Sequence, residues 1–351
     1  MTSDPAAIAD ADLAFYRAHI APLLPPVILD VHAHTWRSAH WRQIAWETDA
    51  PGGAYMVTRP DYDHHALQAD ARTLFPDRPY HAVCFGYPTP LADLDQTNDY
   101  TAALGQQPGR YPLFITGRGL HPLAIIEERL RTQRFFGYKI FLPWLGDDYG
   151  AITLPDMLGH PEMALAHRLR LLVLLHLPGL RRLADPALQA DLRRYAGDYP
   201  HAQFILAHCG RCYLPDELAA AIPAIADLPN VYLDTAMVMD PTVLQIALEQ
   251  LGSSRLLFGT DLPVANMRGR RVYAADHWID LVLDGHGYAL SAFRAITPHM
   301  HATFMTYEII LALHRATQRL HLPPSHLAAI LHDNSYHLLA AVMDGAHLAR
   351  A

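Results

Sequence analysis

The stretch Val27-Ile28-Leu29-Asp30-Val31-His32-Ala33-His34 decides the fold. It follows Pro25-Pro26, is apolar and rich in β-branched residues apart from Asp30, and closes on two histidines one residue apart. A short apolar run bounded by prolines reads as a buried strand, and the amphipathic stretch Asp10–Leu24 before it reads as a helix. Along a strand, residues i and i+2 share a face about 6.5–7 Å apart, so His32 and His34 project together while Val31 and Ala33 turn toward the outer helices.

Working outward, seven more runs of this kind recur: His81–Phe85, Leu113–Gly117, Phe135–Phe141, Leu171–His176, Gln203–His208, Val231–Thr235 and Leu256–Asp261. Helix-like stretches separate them, among them Leu123–Arg134, Asp156–Arg170, Pro186–Ala196 and Pro241–Leu251. Eight β-rich runs alternating with helices predict parallel strands and a distorted TIM (β/α)8 barrel over about residues 27–265. The aromatic and polar segment of about 37–79, with Pro51-Gly52-Gly53 inside it, reads as an inserted lid. Helices over about 275–345, including His301–Leu320 and Ser325–Met343, form a C-terminal extension. No fixed-period repeat or linker divides the chain, so 1–351 is expected to form one domain. A doubly wound open sheet would call for a glycine-rich phosphate loop after the first strand, and none follows His34.

Composition narrows the class. Of 351 residues, 51% are apolar and 18% charged, and no apolar run reaches the length of a membrane span. Cys84, Cys209 and Cys212 are too few and too odd a set for a disulfide framework, and the first residues carry no secretory pattern, so a reducing cytoplasm is expected. A net charge of −8 argues against a nucleic-acid partner. The 23 histidines stand out, because histidine is the commonest metal ligand and the proton carrier at neutral pH.

The residues that close the strands carry the chemistry. Strand one ends in His32-Ala33-His34, the fifth in His176, the sixth in His208 and the eighth in Asp261. Barrel active sites form at the C-terminal strand ends, so these five side chains are expected to converge. His32 and His34 can each place a nitrogen about 2.1 Å from one cation, and His176 with the Asp261 carboxylate completes an N/O set. That set suits one divalent metal, Zn2+ first, with Mn2+, Fe2+ and Co2+ also fitting, and leaves a position open for water. The bland alternative is a group of satisfied core or loop histidines. A lone His-x-His would favour it, but four matched strand ends argue against it.

The order of these pieces resembles the amidohydrolase superfamily, in its amidohydrolase-2 branch of hydrolases and decarboxylases similar to aminocarboxymuconate-semialdehyde decarboxylase. The matching pieces are Leu29–His34, Gly137-Tyr138-Lys139-Ile140, Leu174-Leu175-His176, Leu206-Ala207-His208-Cys209-Gly210, Leu257–Pro263 and Ile330–Asn334. By this resemblance His32, His34, His176 and Asp261 bind the metal, and His208 stands beside the bound water. The implied activity is hydrolysis of a small organic substrate, with Asp261 taking the water proton and His208 orienting water or protonating product. Non-oxidative decarboxylation at the same site is the alternative, and an inactive metal-binding scaffold is a third reading. In two-metal relatives a carboxylated lysine sits where Lys139 falls; a substrate-contacting lysine and a lysine without a role are the other readings. The resemblance also points to a homodimer, for which the apolar C-terminal helices offer a surface.

Arg37, Arg118, Arg211, Arg268, Arg270 and Arg271 fall after strand ends, where a guanidinium could clamp a substrate carboxylate or merely face solvent. Arg37 and Arg211, nearest the ligands in sequence, are the preferred candidates. Trp36, Trp41 and Trp144 could wall a pocket for a flat substrate or only pack. Cys209-Gly210-Arg211-Cys212 lacks the second pair of a zinc knuckle and reads as incidental thiol spacing. Asp30 is expected to hydrogen-bond behind the histidine pair, and Asn334 to pin the last helix.

Overall fold

The computed structural model describes residues 5–42, 59–87, 91–140, 150, 152–274, 277–283, 292–293 and 302–348. Its strands are short apolar segments whose both faces are covered, the pattern of a parallel sheet wrapped by helices. In chain order they are β1 (Ile28–His34), β2 (Tyr80–Phe85), β3 (Arg110–Pro112), β4 (Phe114–Ile115), β5 (Gly137–Ile140), β6 (Leu172–Leu175), β7 (Gln203–Leu206), β8 (Val231–Asp234) and β9 (Leu256–Leu257). Parallel ladders run from β1 to β2 to β3 and from β4 through β9. The Leu113 N–H, donating to Cys84 at 2.9 Å, joins the two arcs.

The ring closes at its other side through backbone bonds of 2.9 Å each: Val31 N–H to Phe258, Asp261 N–H to His32 and His34 N–H to Leu262. With β3 and β4 sharing one position, this is an eight-position α/β barrel, as the alternation of runs predicts. Aspartates start several of the outer helices. Asp63 and Asp93 cap His64–Leu74 and Leu94–Leu104, while Asp185-Pro186 and Asp240-Pro241 pair a capping carboxylate with a proline at the first helical position.

The third strand is split and begins earlier than the expected run from Leu113. Hydrophobicity passed over Arg110, a charged residue only 6% exposed whose Nη1 donates to the carbonyls of Tyr80 and Gly109. The expected helix 156–170 is two helices, Leu154–Met157 and His160–Arg168, parted at Leu158-Gly159. In the segment 37–79, residues 43–58 lie outside the described residues, and His64–Leu74 is a helix crossing between β1 and β2.

After the barrel the chain forms a second sheet of β10 (Gly269–Ala274), β11 (His277–Leu283) and β12 (Ala292–Phe293), where helix was expected from about 275. The terminal helices begin at Met305. Met305–Arg319 is followed by Pro324–Ala328, which continues through a π turn at Ala329–Asp333 into Asn334–Leu348. That last segment is fastened to the start of β9: Asn334 Nδ2 donates to the carbonyls of Ser253 at 2.8 Å and Leu256 at 2.9 Å. Among the described residues no helix is long and apolar enough to cross a membrane.

Candidate metal centre

β1 ends in the barrel interior, and a bulge between Asp30 and Ala33 turns its last residues into the mouth. Asp30, fully buried, sets that bulge. It accepts hydrogen bonds from the backbone N–H of His32 (2.8 Å) and Thr260 (3.1 Å), from Tyr80 (2.6 Å) and from the Thr260 hydroxyl. Burial nonetheless pushes its carboxyl up to about 7.

Each of three histidines is tied on its Nδ1 side to an acceptor. His32 Nδ1 donates to Asp234 Oδ2 at 2.9 Å, His34 Nδ1 to the Gly86 carbonyl at 3.3 Å and His208 Nδ1 to the Ala236 carbonyl at 3.0 Å. Such bonds leave the lone pair on Nε2. The Nε2 atoms of His32 and His34 then lie 3.3 and 3.1 Å from a single oxygen, Asp261 Oδ1. Two imine nitrogens and a carboxylate oxygen at this spacing repel one another unless a proton or cation lies among them. His32, His34 and Asp261 therefore offer three donor atoms, all within 4.8 Å of one another, of the types that divalent transition metals accept.

Burial dominates the electrostatics of the buried rings. Burial, followed by the Lys139 ammonium, holds His32 well below its ordinary value. Burial likewise brings His208 down to about 4 and, with Arg211 and His208 adding to it, depresses His176. Burial pushes the Asp261 carboxyl up, but the His32, His34 and His208 rings outweigh it and keep it well below the usual carboxylate range.

His176 follows β6 and stands one ring further out, its centre 5.3 Å from that of His208 in an edge-on arrangement; its nitrogens are not in the 4.8 Å set. Lys139, on β5 and fully buried, places Nζ 3.4 Å from His32 Nε2 and 4.6 Å from the centre of the Phe85 ring. Burial brings its ammonium down to about 8 against the pull of Asp261 and Asp234.

The arginines sort into different places. Arg211 is half-buried, donates to the Leu177 carbonyl at 2.6 Å and acts electrostatically on His176. Arg37 is exposed, with its guanidinium 5.9 Å from the Tyr100 ring centre. Arg118 is bonded to the Pro155 carbonyl, Arg268 grips Asp12 of the first helix, and Arg270 reaches Glu308. Arg271 is buried against Asp280. Trp36 and Trp41 flank Tyr87 at 5.4 and 5.8 Å, and Tyr87 lies 6.0 Å from His34. Trp144 lies outside the described residues. Cys209 and Cys212 are buried free thiols.

Two residues of the centre carried no assignment from sequence. Asp234 ends β8 and accepts from the backbone N–H groups of His208 (2.7 Å) and Ala236 (3.0 Å) as well as from His32. Its signal was present, a carboxylate closing an apolar strand in register with the other strand ends. Tyr213, 6.1 Å from the His208 ring, had none, because the turn that places it is irregular. In that turn His208, Cys209, Gly210 and Arg211 all have positive φ, between 51° and 69°. Left-handed backbone at non-glycine residues costs about 1–2 kcal/mol each and persists where the surroundings over-determine it.

A family model described as amidohydrolase matches residues 29–340. No curated protein matches the chain. Among solved structures the chain is similar to an amidohydrolase from Burkholderia multivorans with bound zinc, at 15% identity and a TM-score of 0.56 over 90% of this chain and 99% of that one. It is similar to a dihydroxybenzoic acid decarboxylase from Polaromonas with bound manganese and the inhibitor 2-nitroresorcinol, at 14% identity and 0.54 over 90% and 97%. A third is 4-oxalomesaconate hydratase from Rhodopseudomonas palustris, at 15% and 0.52 over 92% and 98%. At such identities these likenesses speak for a common fold. The family match over nearly the whole chain, on a barrel whose strand ends carry this histidine and aspartate set, places the protein in the amidohydrolase family.

Proposed function

We propose that this chain is a metal-dependent hydrolase of a small, carboxylate-bearing organic substrate. The observation that carries the reading is the shared orientation of His32 and His34, Nδ1 bound outward and Nε2 turned onto one oxygen of Asp261. His32, His34 and Asp261 would hold one divalent cation with His176 as the fourth ligand. Zinc is the first choice and manganese the second, since similar folds carry one or the other. A cation there supplies Lewis-acid polarisation of the substrate and lowers the pKa of a coordinated water toward about 7.

The chain's own residues do the rest. Asp261, held ionised, offers Oδ2 to accept the proton that water gives up. His208 is neutral at pH 7, with Nδ1 spent on Ala236, so Nε2 orients the attacking water and afterwards carries a proton to product. Arg211 faces the substrate's carboxylate from the His176 side, Lys139 contacts substrate from the β5 side, and Arg37 guards the entrance. Tyr87 and Trp41 wall the opposite side and favour a flat substrate.

The fold shared with dihydroxybenzoic acid decarboxylase supports a second reading, non-oxidative decarboxylation by the same residues. Elemental analysis of the purified protein, with His32→Ala and Asp261→Asn beside it, tests the common core. Stoichiometric metal is expected in the native chain, with loss in both variants; a native chain that takes up neither Zn2+ nor Mn2+ ends both readings. A panel of lactones, amides and aromatic carboxylates then separates them: a hydrolase consumes water and yields two products, a decarboxylase releases CO2, and a scaffold holds metal without turnover.

A further inference from the structure

The second sheet carries a buried charge toward the centre that the chemistry above leaves unused. Arg271, on β10, is 8% exposed and makes a two-point pair with Asp280 of β11, Nε to Oδ1 at 2.7 Å and Nη2 to Oδ2 at 2.8 Å. Its Cζ lies 4.5 Å from the centre of the Tyr213 ring. Tyr213 is buried two residues after the left-handed turn, with its ring 6.1 Å from that of His208 and its hydroxyl in the field of Arg211 and Asp261. Arg182, paired with Glu217 at 3.3 Å, flanks the same ring at 5.9 Å.

Two of these arginines are thus balanced by their own acids, and both are aimed at one phenol. A buried ion pair gains little over apolar residues of equal volume if it only joins two strands. What an apolar pair cannot do is hold a phenol ring by its face.

We propose that the Tyr213 hydroxyl contacts the substrate's anionic group beside His176 and His208, and that Arg271, delivered by the sheet outside the barrel, is the positioning residue that holds Tyr213 there. This rests on the reading of the site as one that takes a carboxylate-bearing substrate. It assigns the β10–β12 sheet a part in recognition.

The test uses the full chain loaded with Zn2+ and benzoate as the probe, with affinity by calorimetry and zinc by elemental analysis. Tyr213→Phe removes only the hydroxyl, and benzoate affinity is expected to fall about ten- to hundredfold at unchanged zinc content, the range for a hydrogen bond to a charged group. The double variant Arg271→Met with Asp280→Leu leaves no lone buried charge and is expected to show a similar loss, while Arg271→Lys, which keeps the charge, recovers part of it. Zinc retained with benzoate bound equally well by Tyr213→Phe overturns this inference alone, as does a zinc-loaded wild type that binds no benzoate. A wild type without zinc overturns the functional reading, and this inference with it.

Discussion

His32 has one nitrogen to give, and Asp234 decides which. The carboxylate takes two backbone N–H groups on Oδ1 and the imidazole Nδ1–H on Oδ2, so the tautomer with Nε2 free is the one that satisfies every partner. Asp234→Asn breaks this arrangement whichever way the amide points. With its NH2 toward His32 it drives the proton to Nε2, and with its NH2 toward His208 and Ala236 it sets donor against donor. Metal affinity is expected to fall about 10–100-fold, measured by competition with a chelator, and unchanged affinity would remove Asp234 from the centre. Gly259 belongs to the same detail. A Cβ there would stand 3.1 Å from the His32 Cβ and 3.3 Å from the Asp234 Cβ, so a glycine lets the two side chains meet.

At the scale of elements, strand ends and helix starts do most of the placing. β1, β6 and β8 deliver His34, His176 and Asp234 at or just past their last residues, whereas β7 ends at Leu206 and a left-handed turn presents His208. The last helical segment holds the ring from the opposite mouth. Asn334→Ala strips the Ser253 and Leu256 carbonyls of their donor at a half-buried site. A loss of about 1–2 kcal/mol is expected, read as a lower urea midpoint at constant slope. A midpoint equal to that of the wild type would make the clasp incidental. Metal content should not change, because these bonds lie at the end of the barrel away from the centre.

For the whole molecule, closure of the ring and assembly of the centre are one event. The bonds that shut the barrel run from Val31, His32 and His34 to Phe258, Asp261 and Leu262, the same segments that carry three of the proposed ligands. A cation on those ligands therefore binds the closed form alone. Zinc at a hundredfold excess over its dissociation constant is expected to stabilise the fold by about 2.7 kcal/mol, seen as a raised thermal midpoint that His32→Ala abolishes. An equal rise in His32→Ala would place the zinc elsewhere. The barrel and the alternation of runs were legible in the chain, because apolar periodicity is a local property, and of the residues expected at the strand ends the fold brings His32, His34 and Asp261 within 4.8 Å of one another. The early start of β3 at Arg110 was not, since hydrophobicity cannot foresee a charge buried on carbonyls. Nor were the β10–β12 sheet, the turn after Leu206, or the hydrogen bonds that Asp234 makes to His32, His208 and Ala236. Those depend on which backbone groups of distant segments face one side chain, and on the tautomer they impose. Residue type along the chain determined which side chains are candidates to hold a metal; only the tertiary structure decided which nitrogen His32, His34 and His208 leave free.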